Sequence, residues 1–403
     1  NPYHMSIERL VRKQLHGPGR RSGTRLSGPA DPEMISLAAG DPNFLLPDYI
    51  ADAVNHAIKI GQTHYCFGGD PELKAEIAKY YSKYGYETTP GQVSITAGGS
   101  ESIFKSYAAV LDDGDEVIAF DPAYSGGTMA PAYFGAKTVY ANLKKRDDGF
   151  FDFDEEALKN AISSKTKGLY VENPGNPSGK VYGKKECKVI ADLANDHDFI
   201  VFSDETYTEY IWTGEDHFPI ITLPGMENRT IVAQAMTKMF AWAGMRTGWV
   251  IAGPELAPYV QRAPGAGASW PIQRACLVGL RDGYPFVQEM RKEYEERIDY
   301  AVKRLNDIPG VKCPKPEGAF YPFADVTGTG MSCTDFVAGL QKEVKVRAVP
   351  GGGYGKGAGS GSVRFSMIRP MSNTKLPSWF EHKEGMMLED AMDRIEKFVQ
   401  SHA

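Results

Sequence analysis

Between about residue 46 and residue 285 the chain alternates two hydrophobic patterns. Stretches with apolar residues at three- and four-residue intervals, 46–60, 71–84, 100–111, 153–163 and 184–197, predict helices. Short runs rich in β-branched and aromatic residues, 93–96, 116–120, 137–140, 167–171, 199–203, 230–234 and 248–252, predict strands. Most of these runs are apolar throughout and do not alternate, the pattern of strands covered on both faces by helices. A long helix is expected over 284–305, then a mixed region over 306–368 with a strand around Arg364, and a closing helix over 386–401. The expected fold class is α/β: a large three-layer domain with a mostly parallel sheet flanked by helices, plus a smaller α+β domain. The expected division is an N-terminal arm over 1–45, a large domain over 46–285 and a small domain over 286–403.

Composition narrows the possible partners. With 403 residues and 42% hydrophobic content there is material for a large core, and a net charge of −6 offers no general field for a polyanion. No nucleic-acid partner is therefore expected. The basic arm over 6–30 (Arg9, Arg12, Lys13, Arg20, Arg21, Arg25) reads as solvated or packed, with a nucleic-acid patch as the alternative. The longest apolar runs, such as Phe199–Phe202 and Trp249–Ala252, fall far below the ~20 residues of a membrane span, so no membrane partner is expected. Asn1 to Met5 lead into no apolar segment, which does not fit a secretory signal, and Met5 reads as the natural start. Five scattered cysteines without a CxxC pair suggest a reducing, cytoplasmic setting, and eight histidines without ligand spacing suggest no metal site. The glycine-rich run 351–361 has Pro350 and Gly357 where a Walker loop needs Gly and Ser or Thr. It is expected to be a flexible loop near a site.

Four stretches at the ends of predicted strands carry groups that chemistry can use. Asn173-Pro174-Gly175-Asn176-Pro177-Ser178-Gly179 follows the strand 167–171, and by itself reads as a turn. Ser203-Asp204-Glu205-Thr206-Tyr207 ends the most apolar strand, where an acid is costly to desolvate unless it meets a cation. Ala235-Met236-Thr237-Lys238 ends another strand, with Arg246 eight residues on. Ser362-Val363-Arg364-Phe365-Ser366 puts an arginine in a strand of the second region.

Taken together, these motifs resemble the class I/II aminotransferases, fold-type I enzymes that depend on pyridoxal 5'-phosphate. The resemblance runs from about Ile35 to residue 400 and includes Leu37-Ala38-Ala39-Gly40-Asp41-Pro42, the Gly98-Gly99-Ser100 turn and Gly318-Ala319-Phe320-Tyr321. The spacings fit as well: 28 residues from Asn176 to Asp204, three from Asp204 to Tyr207 and eight from Lys238 to Arg246. It implies transfer of an amino group from an L-amino acid to a 2-oxo acid, with the large domain binding the cofactor.

By this resemblance Lys238 carries the cofactor aldehyde as a Schiff base and later serves as acid–base at the substrate α-carbon. Asp204 keeps the ring nitrogen protonated. Tyr207 and Asn176 donate hydrogen bonds to the ring oxygen, and Tyr124 stacks on the ring. Gly98, Gly99, Ser100, Thr237 and Arg246 serve the phosphate, and Tyr65 reaches it from a neighbouring subunit. Arg364 grips the substrate carboxylate beside Asn176 and the Gly40 backbone. A homodimer with shared active sites follows from the role of Tyr65.

The sequence departs from the family pattern in three places. Ala235 stands where many relatives place a phosphate-touching Ser, residues 263–270 are unusually rich in Gly and Ala, and 371–385 form a longer link than expected. Arg262 is a candidate reader of a distal carboxylate across the dimer, or a surface residue of a helix over 255–262. The same residues on the same scaffold also support a lyase, cyclase or oxidase acting at the α- or β-carbon. A cofactor-binding regulator is a further alternative, although about 35 residues before Ile35 are too few for a DNA-binding module.

Overall fold

The structure, a computed structural model, describes residues 11–12, 31–380 and 383–402. The predicted basic arm lies outside the described residues except for Val11 and Arg12. In chain order the strands are β1 (Ile35–Ser36), β2 (Val93–Thr96), β3 (Glu116–Asp121), β4 (Lys137–Asn142), β5 (Lys144–Lys145), β6 (Phe151–Asp152), β7 (Thr166–Glu172), β8 (Ile200–Asp204), β9 (Thr230–Ala235), β10 (Gly248–Ala252), β11 (Phe323–Asp325), β12 (Val346–Arg347), β13 (Val349–Pro350) and β14 (Ser362–Arg364). The helices are α1 (Asp48–Lys59), α2 (Pro71–Ser82), α3 (Gly99–Ala108), α4 (Ser125–Met129), α5 (Glu155–Ala161), α6 (Lys184–His197), α7 (Met236–Met239), α8 (Ala257–Arg262), α9 (Trp270–Asp282), α10 (Tyr284–Asn306), α11 (Cys333–Glu343) and α12 (Leu388–Gln400).

Seven strands form the central sheet in the order β2-β10-β9-β8-β7-β3-β4. Every neighbouring pair is parallel except those of β10, which runs antiparallel to both β2 and β9. The three layers follow from side-chain alternation along buried strands. Val232, Trp249 and Ile251 join one core cluster with Ala275, Cys276 and Leu277 of α9. Ile231, Ala233 and Val250 join another with Ile103 and Tyr107 of α3 and Val260 of α8. Further along, Ile118, Leu169 and Val201 pack with Ile190 and Ala191 of α6. Because both faces are covered, these strands carry apolar residues at consecutive positions. At the sheet edge β4 is largely open to solvent.

The second region is smaller. β1 pairs in parallel with β12, and β11, β14 and β13 form an antiparallel sheet in the order β11-β14-β13. α12 turns Leu388, Ala391, Met392, Ile395, Phe398 and Val399 inward, an apolar face with the helical period. Four helices escaped the pattern reading, the short α4 and α7 and the longer α9 and α11. α9 begins directly after the glycine-rich 263–269 with Pro271 in its first turn, and α11 is capped by Ser332, which accepts the Asp335 N–H at 3.1 Å.

Residues 351–361 are tied down. Asp121 accepts the Lys356 N–H at 2.6 Å and the Tyr354 carbonyl accepts the Ala123 N–H at 2.8 Å. The long link is also anchored: Ser378 accepts from the Asn43 amide at 2.7 Å, and Phe380 lies under the Arg369 guanidinium at 3.9 Å. Among the described residues no helix is long and apolar enough to cross a membrane.

Candidate active site

Parallel strands end on the same edge of a sheet, and here that edge brings the sequence-predicted groups together. β2 leads through Gly98 into α3, β7 ends at Glu172 before the Asn176 turn, β8 ends at Asp204, and β9 leads into α7 with Lys238. β14 of the smaller region supplies Arg364 from above this edge, and the chain around Gly40 closes the remaining side.

Lys238 Nζ donates to the Gly40 carbonyl and, among the described residues, has no carboxylate in ion-pair contact. Burial lowers its pKa to about 8, with the nearby Asp41 carboxylate opposing and Arg364 adding to the drop. Gly40 must be glycine here, because a Cβ would stand 2.1 Å from the Tyr321 hydroxyl and 3.4 Å from Lys238 Nζ. Asp204 accepts from the Tyr170 hydroxyl at 2.9 Å and from the Thr206 hydroxyl at 2.6 Å. Burial nevertheless raises its pKa above the ordinary carboxylate range. The Tyr207 and Tyr321 hydroxyls lie 2.8 Å apart, both buried.

Arg364 is buried between the rings of Tyr321, at 4.4 Å, and Tyr354, at 5.4 Å. One of its nitrogens donates to Asn176 Oδ1 at 2.9 Å and another to the Ala38 carbonyl. Among the described residues its Nε has no partner and it has no acid in ion-pair contact. A cation walled by aromatic rings and left short of an acceptor fits an incoming carboxylate.

The first turn of α3 forms the second cradle. Glu101 and Ser102 N–H close on the Gly98 carbonyl, both at 3.1 Å, so the N–H groups of Gly99 and Ser100 stand ahead of the first helical bonds. Arg246 lies over this turn; a Cβ on Gly98 would meet its guanidinium at 2.4 Å. Arg246 itself adopts a left-handed φ of 56°, costing on the order of 1 kcal/mol. Ala235 faces the same turn, its Cβ 3.4 Å from where one on Gly99 would sit, and Thr206 Oγ1 is 3.7 Å from that point. A free helix N-terminus under an exposed guanidinium matches what a phosphate needs. The donors around Gly98 therefore fit the phosphate of pyridoxal phosphate, and the Asp204 carboxyl fits as acceptor for its ring nitrogen.

Thr237 is half-buried beside Lys238, and Tyr124 is half-buried where β3 leads into α4. Tyr65 is not brought to the site within this chain: it is 85% exposed and stacks on Phe67. Arg262 is exposed and packs on Tyr259 of its own helix. The sequence reading passed over Glu172, Thr206 and Tyr354. Glu172 directly precedes the Asn-Pro turn and ends a strand as Asp204 does, which was a usable signal; Tyr354 was hidden inside the glycine run.

The family model for aminotransferase class I and II matches residues 32–378. An aspartate aminotransferase of Pyrococcus horikoshii is 35% identical over 376 residues, covering 91% of each chain. An aromatic-amino-acid aminotransferase of Thermococcus litoralis is 34% identical, covering 91% of this chain and 92% of that one. The crystal structure of an aromatic aminotransferase from Pyrococcus horikoshii superposes with a TM-score of 0.83 at 33% identity, covering 92% of this chain and 96% of the other. The fold and site define an α/β enzyme of the fold-type I class. The chain belongs to the class I and II aminotransferases, and its cofactor is pyridoxal phosphate.

Proposed function

We propose that this aminotransferase moves the amino group of an L-amino acid to a 2-oxo acid, with Lys238 as the residue that holds the cofactor and shuttles the proton at the substrate α-carbon. The observation that carries this reading is the Lys238 amine, half-buried, with no carboxylate in ion-pair contact among the described residues, and held near pKa 8. A neutral amine is a nucleophile and a base, and this one loses its proton close to neutral pH. When bound, pyridoxal phosphate supplies an aldehyde carbon that accepts amino groups and a ring that takes up the α-carbon electron pair.

Asp204 would hold the ring nitrogen, Tyr207 and Asn176 the ring oxygen, and Tyr124 the ring face. Gly98, Gly99, Ser100, Thr237 and Arg246 would hold the phosphate, with Tyr65 reaching it from a second copy in a homodimer. Arg364 and the Gly40 backbone bind the substrate carboxylate, which fixes the amino acid so that its α-hydrogen faces Lys238 Nζ. In this reading 46–285 is the cofactor-binding domain, and 286–403 with the arm forms the smaller one. The five free cysteines suit a reducing compartment such as the cytoplasm.

The test is a single half-reaction. Purified protein loaded with cofactor is mixed with one amino acid at a time and no 2-oxo acid. Stoichiometric release of the matching 2-oxo acid by the native protein, and none by Lys238→Ala, is the expected result. Ammonia release in place of amine retention, or undiminished turnover by Lys238→Ala, refutes it.

A further inference from the structure

One buried acid in the site has no part in the roles above. Glu172 is the last residue of β7 and pairs in register with Asp204 on β8, so the two carboxyl groups leave the sheet on the same face. It is 6% exposed, and its Oε2 accepts the main-chain N–H of Asn176 at 2.8 Å. The Asn176 side chain in turn accepts from Arg364 at 2.9 Å. A single line of hydrogen bonds therefore runs from Glu172 through Asn176 to the guanidinium.

We propose that Glu172 is a positioning residue of the carboxylate grip, fixing Asn176 through its main-chain N–H and thereby setting the bearing of Arg364. The inference rests on the reading of Arg364 as the substrate grip. Two cis X-Pro bonds, Asn173-Pro174 and Asn176-Pro177, bracket the turn. Asn176 lies in the turn that follows β7, and Glu172 Oε2 is the acceptor of its main-chain N–H.

The charge state of Glu172 matters as well. It is faced by Asp204 from β8, by Lys238 from α7 and by Arg364 from β14, with Tyr170, Tyr182, Tyr207, Tyr321 and Tyr354 around it. Burial first, and Asp204 second, push its pKa well above the ordinary range, against the pull of the Asn176 N–H and the two cations. The neutral acid still accepts from Asn176 and places no negative charge opposite an incoming carboxylate. As pH rises and Glu172 ionises, that charge opposes substrate binding.

Two substitutions in the cofactor-loaded enzyme separate these effects. Glu172→Gln keeps length and an acceptor oxygen but cannot ionise; Glu172→Leu leaves the Asn176 N–H without an acceptor. KM and kcat for an accepted amino acid are measured across pH, with the urea unfolding midpoint checking that each variant is folded. Glu172→Leu is expected to raise KM about tenfold, with a smaller change in kcat. Glu172→Gln is expected to stay within about twofold of native KM at neutral pH and to lose part of the alkaline rise in KM.

A folded Glu172→Leu with native KM overturns the inference. If that variant fails to fold, Glu172→Ala removes the same acceptor and a folded Glu172→Ala with native KM overturns it; a Glu172→Gln pH profile superimposable on the native one overturns the effect of its charge. Arg364→Ala in the same assay distinguishes the two readings. If it leaves KM unchanged, Arg364 is not the grip. If it raises KM while Glu172→Leu does not, only the role of Glu172 falls.

Discussion

Lys238 should weigh on the stability of the cofactor-free protein in a way its replacement relieves. In the fold its pKa falls from the ordinary 10.5 to about 8, chiefly through burial. At about 1.4 kcal/mol per tenfold change in proton affinity, holding that ammonium costs about 3 kcal/mol, and the residual exposure of Lys238 trims this to about 2 kcal/mol. The sign follows from proton counting. Between pH 8 and 10.5 the unfolded chain holds a proton on this lysine that the folded chain has released, so stability rises with pH across that window. Below pH 8 the full cost is present. Lys238→Met keeps the volume and removes the charge, so the cofactor-free variant should be more stable than the native protein by about 2 kcal/mol at pH 7. The gap should close towards pH 10.5, because every other titrating group is common to both proteins. Urea unfolding at pH 7, 8, 9 and 10 measures it. A variant no more stable at pH 7, or a gap that does not shrink with pH, would refute the burial of an uncompensated amine.

Two further perturbations bear on the same pocket. Asp204→Asn retains the approximate shape but cannot hold a proton on the ring nitrogen, so kcat should fall by about two to three orders of magnitude with the melting temperature little changed; near-native turnover would assign that proton to another group. Gly40→Ala drives a Cβ to 2.1 Å from the Tyr321 hydroxyl. It should cost about 2 kcal/mol of stability by overpacking and depress kcat by displacing Tyr321 and Lys238, as thermal unfolding and steady-state rates would show; native kcat would mean that the Gly40 backbone is not part of the site.

Most of the sheet was legible because its strands are covered on both faces. Such strands are apolar at consecutive positions, and all seven central strands fell within two residues of their predicted limits. α9 was missed because its start, Ser269-Trp270-Pro271, is masked by the glycine-rich run before it, and its buried Cys276 and Gly279 carry little helical signal. The candidate chemistry was readable where a charged residue ends a buried strand, as with Asp204 and Arg364, or follows one closely, as with Lys238. Tyr321 and Tyr354, which sandwich Arg364, come from loops with no periodicity. Only the tertiary fold brings the Tyr321 hydroxyl to that of Tyr207, 114 residues away in sequence. Tyr65 poses a different problem, since no argument within one chain can place an exposed ring in a site that a second copy would complete.

The groups around this edge are individually unfavourable and jointly purposeful. Arg364 has an orphaned Nε, Lys238 gives up its proton near pH 8, and Glu172 and Asp204 are both pushed towards the neutral acid. Each is held in its site at a cost, and a pocket tuned only for stability would not collect four such groups at one edge of the sheet. In the proposed reading three of these deficits have the sign that a ligand group would correct: a protonated ring nitrogen would lower the pKa of Asp204, an α-carboxylate would satisfy Arg364, and the cofactor aldehyde would take up Lys238 as the neutral amine. Because these corrections would exist only in the folded state, cofactor and substrate would stabilise the fold through the same groups that the proposed reading uses for proton transfer.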